Sequence, residues 1–316
     1  MSSLFFPTDL FPFTDLPEKD PDTGEKAGLL DTATKSKTVP KIFYTNTSYE
    51  YWGRAASLIH TSADGKTDAP LAANTRVYFL AGLEHFTVPF PPENRVRGNP
   101  DYTAQQKANP NPIQWYWRAL ITDMDRWVRD GKQPPPSTYP KIADKTLIPL
   151  AQWTFPKIPS VNTPHEVSLA YRLDVGLQWK QGIITIEPPR VGHPFGVLVP
   201  RCDTDGNDLG GVRLPELQAP LATYTGWNLR DPSIGAAEQR VSFLGSWIPL
   251  AKTAEERKKT GDPRLSIAER YKSQQEYMGK FEQAARKLIE QRFLLQEDLP
   301  AILERGNQEW KVIVGE

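Results

Sequence analysis

The amino-acid sequence predicts an α/β protein that continues into a β-rich segment and ends in helices. Three observations predict this class. First, two apolar strand patterns, at residues 41–47 and 76–82, flank a short helical pattern. Second, several short strand patterns follow within residues 165–215. Third, a long helical stripe begins near residue 266. Strands that alternate with helices form parallel sheets, so the first two strands are predicted to be parallel neighbours.

Composition limits the possible partners. The 316 residues include nine Trp, enough for one large or two ordinary domains with a sizeable core. The 38 Lys and Arg balance the 38 Asp and Glu, and no long run of one sign occurs, so no nucleic-acid partner is predicted. The single cysteine, Cys202, excludes an intrachain disulfide framework and any zinc site built on several thiolates.

No apolar run approaches the roughly 20 residues that span a bilayer, so no membrane partner is predicted. FFPTDLFPF, within the first twenty residues, is broken by acidic residues and prolines and follows no basic region, unlike a signal peptide. The chain as written is therefore predicted to be cytoplasmic. A signal peptide on a longer protein would place it in the periplasm or outside the cell.

No cofactor and no metal are predicted. Asp203, Asp205 and Asp208 in DTDGND resemble a calcium loop, but the glycine and the glutamate that such a loop needs at its expected offsets are missing. The Asp-Gly pair instead favours a hairpin turn.

Thirty prolines mark the domain organisation. The first forty residues are rich in Pro, Asp, Gly and Thr around a short helical pattern near EKAGLLDTATK, and KQPPPSTYPK has the composition of a linker. The predicted boundaries are 1–40 for an N-terminal arm, 41–131 for the α/β core, 132–164 for a Pro-rich linker, 165–260 for a β-rich extension and 261–316 for C-terminal helices packed on the rest.

Two helices are predicted in the α/β core. SYEYWGRAASLIH, residues 48–60, separates the two strands, and a longer helix ends at Gly131. The longer helix carries an apolar stripe that predicts its buried face, formed by Ile113, Trp117, Leu120, Ile121, Met124 and Val128.

The remaining elements are short. Strands are predicted in the β-rich extension at EVSLAYRLDV, GIITIEP, FGVLVPRC and LGGVRLP. Tyr224 and Trp227 are predicted to pack inside this extension; the alternative is that they form the wall of a ligand pocket. Ser266 and Glu269 form a capping box that starts the C-terminal helices. A final helix, DLPAILER, is predicted to end at Gly306.

Two side chains with catalytic chemistry follow the two predicted strands. Glu50 lies just past the first strand and His85 just past the second, and the carboxyl ends of parallel strands meet at one edge of a sheet. A histidine deprotonates a serine only when a carboxylate holds its other ring nitrogen. In an α/β-hydrolase the acid and then the histidine follow successive late strands, which these two positions match. A structural histidine is the simpler alternative for a residue at a strand end.

The sequence also resembles a bacterial family of large alpha/beta hydrolase domain-containing proteins. The residues that carry the resemblance extend from about residue 5 onward and include PKIFYTNTSYEYWGRAASLIHT, RVYFLAGLEH, GNDLGGVRLPELQAPLATYTGWNLRDP and GDPRLSIAERY. It implies hydrolysis of a small-molecule, ester-like substrate, with His85 in the position of the triad histidine and Glu50 in that of the acid. Glu84 is the competing acid, but it directly precedes His85, which makes a hydrogen bond between them harder to form.

The sequence departs from that family in its nucleophile. It contains no G-x-S-x-G elbow, and Ser57 and Ser233 are better interpreted as structural residues. We therefore expect the C-terminal part of an α/β-hydrolase sheet, with its last strands and helices, a β-rich extension and a C-terminal helical segment. The nucleophile would lie on a missing N-terminal half or on a partner chain, and this chain alone would be inactive. An unpaired apolar edge on the first strand predicts that the isolated chain aggregates or pairs with another polypeptide.

One alternative of a different class remains. In it, the hydrolase frame has no nucleophile at all and serves as a non-catalytic binding or interaction module.

Overall fold

The computed structural model describes residues 10–96 and 99–315. The helices are α1 (Asp31–Ser36), α2 (Ser48–Gly53), α3 (Gln114–Asp130), α4 (Pro215–Gln218), α5 (Ala254–Thr260), α6 (Ile267–Arg270), α7 (Gln274–Glu290) and α8 (Leu299–Val314). The strands are β1 (Glu18–Lys19), β2 (Lys26–Ala27), β3 (Ile42–Thr47), β4 (Thr75–Ala81), β5 (Arg95–Val96), β6 (Asn99–Thr103), β7 (Leu147–Ile148), β8 (Tyr171–Asp174), β9 (Arg190–Pro194), β10 (Val199–Pro200), β11 (Val212–Arg213), β12 (Ala222–Tyr224) and β13 (Trp247–Pro249).

The central sheet has three parallel strands in the order β11, β4, β3. β3 and β4 pair over six residues, from Ile42 opposite Thr75 to Thr47 opposite Leu80. The predicted strand–helix–strand unit with parallel strands is therefore confirmed. β3 is an edge strand of this sheet within the described part of the chain.

Segments from outside residues 41–131 complete this sheet. β11 comes from the predicted β-rich extension and pairs with the end of β4, with Val212 opposite Leu80. Thr138, from the Pro-rich segment, forms a parallel bridge with Tyr78, whose hydroxyl donates to the Pro135 carbonyl at 2.7 Å. Both segments therefore lie beside β4.

The core forms around β4, because its sequence TRVYFLA is apolar on both faces. Four successive residues of this strand, Tyr78 to Ala81, are fully buried. They belong to one apolar cluster that continues through α3 and into α7 and α8, where Phe281 and Trp310 join it.

The other strands pair in twos and are antiparallel: β1 with β2, β5 with β6, β7 with β10, β8 with β9 and β12 with β13.

The prediction of a strand at GIITIEP, residues 182–188, is wrong. The N–H groups of Thr185 and Ile186 both donate to the Val175 carbonyl, which closes a loop instead of forming a ladder. Ile183 and Ile184 are consequently exposed, and β9 begins after this loop.

The described part of the N-terminal arm contains α1 at the predicted place. Asp15 ties the arm to the sheet, because its carboxylate accepts hydrogen bonds from the Tyr44 hydroxyl at 2.7 Å and from the Thr75 hydroxyl. Asp20 forms an ion pair with Arg172 at 2.5 Å, which joins the arm to β8.

The helix predicted over residues 48–60 is interrupted. α2 stops at Gly53, and a short three-ten helix follows at Ala56–His60. The break falls at Ala55, whose φ of 53° is left-handed and cannot continue a right-handed helix.

The long helix α3 ends at Gly131, in the left-handed conformation, as predicted. Its buried face was predicted only in part: Ile113 and Leu120 are buried as predicted, whereas Trp117, Ile121 and Val128 are 46%, 70% and 61% exposed. The face that packs on the core is rotated around the helix and includes Tyr116, Ala119, Leu120, Asp123 and Trp127.

The C-terminal helices start at the predicted capping box, in which Ser266 accepts from the Glu269 N–H and the Glu269 side chain accepts from Ser266. That box begins only the short α6. The final helix, α8, does not end at Gly306 but continues to Val314. The glycine is instead needed for a close contact between helices, since an added Cβ at this position would lie 2.8 Å from the Phe281 ring.

Candidate active site

Glu50 and His85 lie at the carboxyl edge of the parallel sheet. Glu50 is in the first turn of α2, directly after β3, and His85 follows the end of β4 by four residues. Because the two strands are parallel and in register, both loops emerge on the same side. His85 Nδ1 lies 2.6 Å from Glu50 Oε1.

The start of α2 fixes the Glu50 carboxylate. Its Oε2 accepts hydrogen bonds from the Thr47 N–H at 2.7 Å and from the Thr47 hydroxyl at 2.6 Å, which closes a capping box. Oε1 is thereby left to face His85. The Glu50 side chain is 16% exposed and the His85 side chain is 44% exposed, so the histidine is the member of the pair that reaches solvent.

The hydrogen bond to Glu50 sets the tautomer of His85. A carboxylate only accepts, so the Nδ1–H of a neutral His85 donates to it, and Nε2 keeps a free lone pair. The backbone of the same residue is also held, because the His85 N–H donates to the Phe243 carbonyl at 3.1 Å. The partly exposed ring therefore keeps one nitrogen, Nε2, that is able to accept a proton.

Glu84, the competing acid, lies elsewhere. Its side chain is buried, and Oε2 accepts from the N–H groups of Asn109 at 3.0 Å and Gly245 at 2.7 Å. Burial raises the pKa of Glu84 well above its usual range. Its hydrogen bonds instead join the His85 turn to two other loops.

Buried polar groups clamp the turn that carries His85. The carbonyl of Gly82 accepts from the Asn109 side chain at 2.8 Å and from the Asn111 side chain at 3.0 Å. The N–H of Gly82 donates to Ser48 Oγ at 2.8 Å and to Asp208 Oδ2 at 3.2 Å, and the Ser48 hydroxyl donates to the same Asp208 oxygen.

Asp208 was missed as a site residue because the sequence placed it with two other aspartates in a turn. Burial raises its pKa to about 6, although the hydrogen bonds from Ser48 and Gly82 act in the opposite direction. No short motif signals this role, since Ser48 and Asp208 are 160 residues apart in the sequence.

The three aspartates of the turn diverge. Asp203 forms an ion pair with Arg213 at 2.7 Å, and Asp205 pairs with Arg270 at 2.5 Å, whereas Asp208 faces Ser48. No group of three or more His, Cys, Asp or Glu side chains that could hold a metal ion occurs among residues 10–96 and 99–315.

Two aromatic rings, Phe86 and Phe243, contact the His85 ring, and Tyr102 stacks on Phe243. We call Phe86, Tyr102 and Phe243 the aromatic shelf. The centroids of the Phe86 and Phe243 rings lie 5.1 and 4.8 Å from that of His85, and Tyr102 stacks on Phe243 at 6.5 Å. Phe243 adopts a left-handed φ of 70°, a strained conformation for a non-glycine residue. Phe86 is 43% exposed, so the shelf is accessible.

The other predicted side chains lie in structural positions. Ser57 is buried and accepts from the Leu198 N–H at 3.0 Å, and Ser233 lies in a surface three-ten helix. Tyr224 and Trp227 are buried and pack in the core, as predicted. Among the residues that the structure describes, the His85 ring hydrogen-bonds only to Glu50, and no serine hydroxyl reaches it.

A separate cavity of about 680 Å³ opens among aromatic side chains that include Trp153 and Phe155. Neither Glu50 nor His85 lines it.

In the described part of the chain, no helix is both long enough and apolar enough to cross a membrane.

Comparison with known proteins identifies the family of the chain. The family model of the alpha/beta hydrolase domain matches residues 14–304, nearly the whole chain, and does not single out a C-terminal part of the fold. No curated protein and no solved structure matches the chain.

Proposed function

The chain belongs to the alpha/beta hydrolase domain family, and on this premise we propose that Glu50 and His85 are the acid and the base of a serine triad. The reaction is hydrolysis of a small carboxylic ester. The serine comes from another polypeptide segment, either an N-terminal half of a longer protein or a partner chain.

The observation that carries this proposal is the 2.6 Å hydrogen bond between Glu50 Oε1 and His85 Nδ1. It leaves Nε2 free to accept a proton, and the ring is exposed enough for a hydroxyl to approach. The absence of a G-x-S-x-G elbow from the sequence is consistent with a serine supplied from elsewhere.

The proposed steps follow from this geometry. The serine oxygen attacks the ester carbonyl while its proton passes to His85 Nε2, and the imidazolium that forms is stabilised by the Glu50 carboxylate. His85 then gives this proton to the departing alcohol, which leaves an acyl-serine. Water, deprotonated by His85 in the same way, releases the acid and restores the serine.

A fluorophosphonate probe, which reacts with an activated serine, tests the proposal. The probe is applied to the protein isolated from its source together with any polypeptide that it holds. We expect a labelled serine, on this chain or on a copurifying segment, and a loss of labelling rate of about 10⁴-fold in His85→Ala.

His193→Ala is the matched control. His193 is also exposed and also lies near an acid, with Nδ1 3.4 Å from Asp22 Oδ2, but it is far along the chain from the candidate site. Labelling should be unchanged in this variant. Labelling that is absent, or that His85→Ala leaves intact, would overturn the proposal and favour a non-catalytic binding module.

A further inference from the structure

The cavity beside Trp153 and Phe155 is large enough for a small molecule. Its volume of about 680 Å³ lies within the roughly 300–1,000 Å³ of small-molecule sites in proteins. Its lining comes from residues 150–165, and the aliphatic part of that lining includes Leu150, Ile158 and Val161. In the described part of the chain, no residue of the candidate active site or of the aromatic shelf lines it, so the cavity is a separate site.

Packing of aromatic rings fixes one wall of this cavity. The Trp153 and Phe155 rings stack at a centroid distance of 5.5 Å and an interplanar angle of 24°, which gives a continuous apolar surface. Two buried rings support them: Trp52 contacts Trp153 edge-on at 4.9 Å, and Trp227 contacts Phe155 at 5.2 Å. The wall is therefore in place before any ligand binds.

Hydrogen bonds hold the rest of the lining segment. The Ser160 carbonyl accepts from the Gln106 side chain at 3.1 Å, and the Asn162 side chain donates to Gln105 Oε1 at 2.9 Å. Ile158, in the same segment, is buried. Because these contacts already order the segment, a ligand that enters the cavity does not have to order it.

The charged lining of the cavity has one sign. Lys157 lines it, and among the described residues no acidic side chain does so. Glu166 directly follows the lining residue His165 but is not part of the lining. Lys157 forms no ion pair within residues 10–96 and 99–315, unlike Lys180, which pairs with Glu25 at 2.5 Å. The cavity therefore combines an aromatic wall with a cationic side chain that is available to an anion.

We propose that this cavity binds a small aromatic carboxylate. The ring of the ligand packs against Trp153 and Phe155, and its carboxylate accepts a hydrogen bond from the Lys157 ammonium group. Thr163 and His165 also line the cavity and offer further hydrogen-bond donors. An uncharged aromatic molecule lacks the ionic contact, so the lysine selects for the anion. The site is independent of the proposed ester hydrolysis, because it shares no residue with the candidate active site.

Binding of cinnamate and of its uncharged analogue cinnamamide to the full chain tests this site. Isothermal titration calorimetry should show cinnamate binding about tenfold more tightly than cinnamamide, the effect of one charged hydrogen bond. Lys157→Gln should reduce the affinity for cinnamate to that for cinnamamide, and added salt should weaken cinnamate binding alone. Trp153→Ala should weaken the binding of both ligands, because both use the aromatic wall.

Two variants outside the cavity are the matched controls. Lys107 is also exposed and also lies near a tryptophan ring, 5.5 Å from the centroid of Trp247, so Lys107→Gln removes a comparable charge elsewhere. Trp117 on α3 is 46% exposed, so Trp117→Ala removes a comparable ring. Both variants should bind cinnamate as the wild type does. Absence of cinnamate binding, equal affinity for the two ligands, or an equal loss in Lys107→Gln would overturn the site.

A variant of the aromatic shelf separates the cavity from the candidate active site. Phe86→Ala removes a ring that contacts His85 and should leave cinnamate binding unchanged, because Phe86 does not line the cavity. A loss of binding in Phe86→Ala that Lys157→Gln does not share would place the ligand beside His85 and overturn the cavity site. If Trp153→Ala lowers the melting temperature, Lys157→Gln still decides the outcome, because this side chain is exposed and its replacement should not affect folding.

Discussion

Ser48 Oγ accepts a hydrogen bond of 2.8 Å from the Gly82 N–H. Ser48 is the first residue of the helix that carries Glu50, and Gly82 begins the turn that carries His85. Both groups are buried, so the bond is shielded from water. The separation of Glu50 from His85 is therefore set by a link between their two loops as well as by their own hydrogen bond.

The His85 tautomer is the first prediction. Because Glu50 accepts from Nδ1–H, neutral His85 should carry its proton on Nδ1, whereas free histidine favours a proton on Nε2. ¹⁵N spectra of the histidine-labelled protein near pH 8 measure this directly, and only four histidines need assignment. Glu50→Ala should shift His85 toward the Nε2–H form. A wild-type His85 protonated on Nε2 would contradict the assignment.

Removal of the Ser48 hydroxyl should loosen the site. Ser48→Ala leaves the Gly82 N–H and the Asp208 carboxylate with fewer buried partners, which should lower the free energy of unfolding by about 1–3 kcal/mol. The His85 resonances should broaden or shift in the same variant. Urea denaturation and the ¹⁵N spectra check both effects.

Ser36→Ala is the control for this change. The Ser36 hydroxyl is exposed and bonds only within its own short segment, so its removal should leave stability and the His85 spectrum unchanged. Equal losses in the two variants would show that the Ser48 contact has no special role.

Stability should fall in acid because of His60. This side chain is fully buried, and its Nε2 lies 2.7 Å from the Tyr51 hydroxyl. Burial lowers its pKa to about 4, below the 6.5 of an exposed histidine. The unfolded chain therefore binds a proton that the folded chain excludes, and stability present above pH 6.5 is lost as the pH falls toward 4, by up to about 3 kcal/mol.

His60→Gln keeps an acceptor for Tyr51 and removes the titration. Urea unfolding at several pH values between 4 and 7 should show a flatter pH dependence in this variant than in the wild type. His193→Gln, at an exposed position, should retain the wild-type slope. A slope that His60→Gln does not reduce would mean that His60 is protonated in the folded state.

A buried charged network holds α8 to the core. Arg305 donates to Glu309 at 3.2 Å, and the same glutamate accepts from the Tyr224 hydroxyl and from Trp247 Nε1, each at 2.7 Å. Burial raises the pKa of the neighbouring Glu216 to about 7, and Arg305 acts in the opposite direction. Removing this one cation leaves two buried carboxyl groups without a charge partner.

Arg305→Ala should therefore lower the free energy of unfolding by about 3–5 kcal/mol. Arg286→Ala removes an arginine with the same i,i+4 spacing to a glutamate, but that pair is exposed, and stability should barely change. Thermal unfolding monitored by circular dichroism distinguishes the two. Similar melting temperatures for both variants would contradict a stabilising role for the buried pair.

Local patterns predicted the parts of the fold that neighbouring residues determine. The alternation of β3, α2 and β4, the stop at Gly131 and the capping box at Ser266 depend on residues within a few positions of one another. The Glu50–His85 contact was also predictable, because it follows from where two parallel strands end.

Contacts between distant segments could not be predicted in this way. β11 joins the central sheet although it lies about 130 residues after β4, and Asp208 reaches Ser48 from that same region. Gly306 resembles a helix stop, but it is needed where α8 crosses Phe281. Periodicity indicated one apolar face of α3, which included Ile121, but packing against the sheet places Trp127 inside and Ile121 outside.

The exposed stripe of α3 leads to the last prediction. Trp117, Ile121 and Val128 lie one or more turns apart on one side of the helix, and β3 is at the edge of the sheet that α3 covers. An exposed apolar helix surface favours association, so the purified chain should self-associate or bind another polypeptide.

Ile121→Lys combined with Val128→Glu should reduce that association without unfolding the protein, since both side chains are exposed. Sedimentation velocity at several concentrations measures the effect. Leu120→Ala is the contrasting variant, because this neighbour is buried and its truncation should lower stability by about 2–5 kcal/mol. A wild-type chain that stays monomeric at all concentrations and melts cooperatively would show that the stripe needs no partner, and would weaken the case for a serine supplied by a second chain.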